Sequence, residues 1–259
     1  MTTKGKRVGT PDLTASAPAK SWWRRPWIIP LGLLVLTFLY LSLPKYLTLD
    51  PMQSLIPVNP GFGPHYALML AHIFTGTVAI VTAVLQVWPK LRDRKPAVHR
   101  VSGRLYVWAG MVPTAILSLA ITPFGYLDGF GALGSSIWAV IALFTTLMGW
   151  SAAREGRYGD HRKLMVYSFA MVTSILTGRL FFYTTWYGLA YIPSLTEHLP
   201  AISQISGFWF NWIINLGVAY WWLNRGKRKV AAVPTTTATA TVSEPIAIAD
   251  DPEPTAKVA

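Results

Sequence analysis

His99 and His161 each precede an arginine, and the two His-Arg pairs lie 62 residues apart. Neutral imidazoles ligate iron, and a pair of them on facing elements is a ligand set for haem b. Arg100, Arg104 and Arg162 would then lie near its propionates. The same groups also suit phosphate headgroups. Gln86 adds an amide at the same level. A second set consists of His72, Arg179, Asn211 and Asn215. An imidazole and two amides can hydrogen-bond a quinone carbonyl, and an arginine can bind a small anion. His65 and His72 are seven residues apart, but no carboxylate or sulfur supports them, so no metal site is expected. Phosphate loops, nucleophile elbows and paired catalytic carboxylates are absent from the sequence.

The elements that position these residues are hydrophobic. The chain is 52% hydrophobic and 13% charged, with a mean hydropathy of +0.37. Soluble domains carry about 25% charged residues. The expected class is an all-α polytopic membrane bundle. Six stretches are candidates to span, at roughly 27–43, 66–88, 104–124, 133–152, 164–190 and 205–223. The first, within 26–44, follows Trp22-Trp23-Arg24-Arg25 and reads as a signal anchor. Residues 66–190 form a four-helix core, and 203–224 hold the sixth span. The ends, 1–25 and 230–259, read as disordered tails, the first of them basic.

Charge sets the orientation. Of the 23 Lys and Arg residues, 21 fall before the first span, between the second and third, between the fourth and fifth, or after the sixth. Only Lys45 falls on the other side, and Arg179 falls within a span. The positive-inside rule then predicts both termini in the cytoplasm, in a bacterial inner membrane. It also accounts for the net charge of +12 without nucleic acid. The bilayer is the expected partner. The absence of cysteine excludes disulfides, iron–sulfur clusters and thiolate-bound haem.

The two His-Arg turns, PAVHRVSGRLY and YGDHRKLMVYS, each follow one span and open the next. Spans two–three and four–five therefore look like two copies of one hairpin, related by an axis along the membrane normal. On the second span His72, Gly76, Ala79, Ala83 and Gln86 share a face, which suits tight packing or a slot for a flat ligand. On the third, Gly103, Val107, Gly110, Thr114 and Ser118 do the same. His161 and Arg179 are 18 residues apart, five whole turns at about 100° per residue. A central membrane arginine costs about 2.5–3.5 kcal/mol and normally has a partner. No carboxylate lies inside any predicted span. Arg179 can snorkel to lipid phosphate, be held by Asn211, Asn215, backbone carbonyls or Asp128, or receive an anionic ligand.

His72-x3-Gly76, Gln86, Arg92, His99-Arg-x-x-Gly-Arg-x-Tyr106, and then His161, Met165, Ser168 and Arg179 resemble the bacterial membrane proteins grouped as domain of unknown function 2306. The resemblance covers about residues 66–180. It implies that His72, His99, His161 and Arg179 belong to one constellation. Leu164 and Tyr167 stand where the family is expected to carry tryptophan and arginine. The core is similar, more loosely, to four-helix transmembrane cytochromes b, which implies histidine-bound haem. Three functions stay open. They are a membrane redox protein, possible oxidoreductase, binding haem b or a quinone; a protein that binds or transports a lipid or small anion; and an accessory subunit without chemistry.

Overall fold

The computed structural model describes residues 27–127 and 129–231, with side chains described up to Arg225. The predicted N-terminal tail, most of the C-terminal one, and Asp128 lie outside the described residues. The described residues up to Leu223 belong to one packed unit, and a second begins at Asn224.

Among the described residues the fold is wholly helical. Helix α1 is Ile28–Ser42, α2 is His65–Gln86, α3 is Pro96–Phe124, α4 is Gly129–Arg154 and α5 is Tyr158–Leu189. Helix α6 is built from Leu199–Ile205, a π turn at Ser206–Phe210, and Asn211–Ala231. Four of these, α2 to α5, are long and apolar enough to cross a membrane. Helix α1 is apolar but has 15 residues, short of the roughly 20 that a span needs. A further turn, Pro44–Leu47, adjoins it.

Helices α2 to α5 form the core, each packed on its neighbours in a closed ring. The closest pairings are α2 with α3 and α4 with α5, the two hairpins expected from the sequence. Helix α1 packs on α2, and α6 packs on α5 and α4, so both are additions to the core. Glycine permits the tight contacts. A Cβ on Gly110 would lie 2.8 Å from Ala79 Cα, and one on Gly178 would lie 2.8 Å from the Gly207 carbonyl oxygen. The α2 stripe therefore packs directly on α3. A flat ligand has no room beside Ala79 and Ala83, which are enclosed by protein.

Hydroxyls inside the apolar helices are satisfied locally. Thr75, Thr82, Thr114, Thr145 and Thr173 each donate to the carbonyl four residues earlier, so they add no unpaired polar group to the interior. Pro113 has no N–H for the carbonyl of Ala109, and a π turn over Leu105–Met111 immediately precedes it. At the α4–α5 turn Gly156 has φ +74°, a left-handed conformation that glycine adopts at no steric cost.

Candidate functional site

Three places in the bundle gather polar groups. The first is at the end far from the basic turns. A cavity of about 130 Å³ lies between α1, α2 and α5. His72 and Gly76 of α2, Arg179 of α5 and Tyr46 of the turn after α1 line it, with Phe38, Leu39, Ile73, Ile80 and Ile175 as its apolar wall. His72 Nδ1 lies 2.9 Å from the carbonyl oxygen of Thr114. A carbonyl only accepts, so Nδ1 carries the proton and donates. This fixes the tautomer and leaves Nε2 free to accept. Among the described residues no carboxylate pairs with Arg179. Tyr46 is 3% exposed, and its hydroxyl has no hydrogen-bond partner among the described residues. Tyr126, in the loop beyond α3, feels the Arg179 charge. Desolvation pushes its phenol up and that charge pulls it back. The cavity thus holds a cation and a hydroxyl donor with no acceptor for either among the described residues.

The amides do not share it. Asn215 Nδ2 donates to the Ala170 carbonyl at 3.1 Å, and Asn211 is buried against Gly178, its Oδ1 accepting from the Trp212 amide at 2.7 Å. Both tie α6 to α5. The sequence placed these amides near the depth of Arg179, but depth leaves azimuth open, and α6 meets the opposite flank of α5 from the cavity.

The second place is the basic end. Gln86 Nε2 donates to the His99 carbonyl at 2.9 Å and to Ser102 Oγ at 2.6 Å, closing the end of α2 onto the first turn of α3. His161 Nδ1 donates to the Gly149 carbonyl at 2.8 Å. His99 Nδ1 is buried and has no partner among the described residues, and the two rings lie within electrostatic range of each other. The arginines do not converge on them. Arg100 and Arg104 are exposed, and Arg162 sits 5.4 Å from the Trp222 ring centroid in a cation–π contact. The structure thus brings the two histidines near each other and leaves Arg100, Arg104 and Arg162 directed elsewhere. Gln86, engaged twice, serves helix packing.

The third place is the middle of the core. Tyr106 Oη lies 2.6 Å from Ser168 Oγ, which lies 2.7 Å from Thr146 Oγ1. All three residues are at most 2% exposed. Tyr106 and Ser168 are 62 residues apart, the offset of the His-Arg pairs. Two copies of one hairpin would touch at corresponding residues only along a shared axis, and this hydrogen bond joins such a pair. The same offset could have found the pair in the sequence. Tyr46 carried no such signal, since it follows α1 in a short turn.

A helical bundle with four apolar helices of spanning length and its charge gathered at one end defines an integral membrane protein. The chain belongs to the family described as predicted membrane protein (DUF2306), whose family model matches residues 69–223. No curated protein and no solved structure matches it.

Proposed function

We propose that the protein is a six-span bacterial inner-membrane protein, with both termini cytoplasmic, that binds an anionic ligand in the cavity between α1, α2 and α5. The observation that carries this is Arg179. A guanidinium with no counter-ion among the described residues of an apolar bundle is costly, and it lines a cavity with a second donor unsatisfied by those residues, the Tyr46 hydroxyl. An anion supplies what both lack. The positive-inside distribution puts this cavity toward the external side. The test is ligand-dependent stabilisation of the purified protein, because a ligand that binds only the folded state raises its melting temperature. Phosphate or carboxylate anions should raise it for the natural protein and not for Arg179→Gln. Equal response of the two proteins would refute the reading.

A second reading places haem b or a quinone at His99 and His161. The buried His99 Nδ1 with no partner among the described residues favours it, as does the Gly149 carbonyl that orients the His161 ring. Its test is the optical spectrum of protein purified from cells grown with excess haem precursor. A Soret band lost in His99→Ala and His161→Ala would establish the cytochrome. Colourless protein leaves the anion site as the reading.

A further inference from the structure

We propose that the anion is the headgroup of a lipid, a phosphate monoester on an apolar chain, which reaches the cavity sideways from the bilayer between α1 and α5. This rests on the anion-binding reading above and narrows it to a ligand class and a route.

The size of the cavity sets the first constraint. About 130 Å³ compares with roughly 30 Å³ for one liquid water. A phosphate group fits and an acyl chain does not, so any chain must leave the cavity. The packing shows where it can leave. Helix α1 packs on α2 and has no comparable packing on α5. Ile175 lines the cavity and is also 40% exposed, and Leu180, next to Arg179, is 59% exposed. The gap between α1 and α5 is therefore an apolar slot leading from the charged end of the cavity to the lipid-facing surface.

The donors and acceptors set the second constraint. Arg179 and the Tyr46 hydroxyl donate. His72, its Nδ1 proton committed to Thr114, presents Nε2 as an acceptor. A carboxylate offers acceptors alone and would leave Nε2 unmatched. A phosphate monoester carrying one proton offers both acceptor oxygens and one O–H donor, and so matches all three groups. Its charge also supplies the counter-ion that Arg179 lacks among the described residues.

The experiment uses full-length protein in detergent, with lysophosphatidic acid, the monoacylglycerol of the same chain, the corresponding fatty acid and inorganic phosphate as probes. Affinities are read from native mass spectrometry and from melting temperature. Lysophosphatidic acid should bind most tightly and monoacylglycerol not at all. Arg179→Gln should weaken lysophosphatidic acid at least about tenfold, the scale of one lost charge-assisted hydrogen bond. Ile175→Trp, which narrows the slot, should weaken lysophosphatidic acid more than it weakens inorganic phosphate. Ser42→Trp tests the slot from the α1 side should Ile175→Trp fail to melt cooperatively. Inorganic phosphate binding as tightly as lysophosphatidic acid would overturn the lipid and keep the anion site. Fatty acid binding equally well would overturn the phosphate specificity. No probe distinguishing the natural protein from Arg179→Gln would overturn both this inference and the reading it rests on.

Discussion

Replacing Ser168 should cost far more than replacing the larger Tyr106, although the two share one hydrogen bond. Ser168 Oγ is the middle of a chain of three hydroxyls, 2.6 Å from Tyr106 and 2.7 Å from Thr146. Ser168→Ala removes both bonds and leaves two hydroxyls unpaired in an interior that Thr146 and Ser168 share at 0% exposure. Each orphaned group costs about 1–3 kcal/mol, so the expected loss is about 2–6 kcal/mol. Tyr106→Phe removes one bond, keeps the ring, and leaves Ser168 bonded to Thr146. Hydrogen bonds between membrane helices average about 0.6 kcal/mol, and the loss should fall between about 0.5 and 1 kcal/mol. The double variant removes the orphaned phenol and should be less damaged than Ser168→Ala alone. Reversible unfolding in mixed micelles, followed by circular dichroism, measures all three. Tyr106→Phe matching or exceeding Ser168→Ala would refute the hydroxyl chain as the source of stability.

Gly110→Ala should destabilise by about 1–3 kcal/mol, because its Cβ meets the Ala79 backbone at 2.8 Å; Gly129→Ala, whose Cβ meets nothing within 4 Å, is the neutral comparison in the same unfolding assay. Reporter fusions after residues 55 and 195 should read as external and those after 95 and 158 as cytoplasmic; a cytoplasmic signal at 195 would remove α5 as a span. At the α4–α5 turn, hydrogen bonds from Ser151 and Arg157 hold the Glu155 carboxyl below its usual range. Its folded value being the lower one, its contribution is present above the unfolded pKa and lost as pH falls through the folded one. Amide exchange at Gly156 and Arg157, corrected for intrinsic pH dependence, should rise across that interval, and Glu155→Gln should abolish the dependence.

Much of the bundle was legible in the sequence because its signals are one-dimensional. Runs of apolar residues give α2 to α5, and the repeated His-Arg turn gives the two hairpins. Small residues at steps of three and four identify the α2 and α3 faces that meet at Ala79 and Gly110. Contacts of irregular segments were not legible. Tyr46 enters the cavity from a turn whose position depends on how α1 lies against α2. Asn211 and Asn215 were placed by depth, and a π turn at Ser206–Phe210 shifts the phase of the helix that carries them. The basic end shows the same limit, for Arg162 is near His161 in sequence, yet its guanidinium lies against Trp222.

The hydrogen bond between Tyr106 and Ser168 has a consequence for how the core can vary. One large and one small side chain share an enclosed space between α3 and α5, with Thr146 of α4 as the third wall. Nothing beside them can give way, because protein interiors are close-packed. A larger group at 168 must therefore be matched by a smaller one at 106, and changes at the two positions should be tolerated together and not singly.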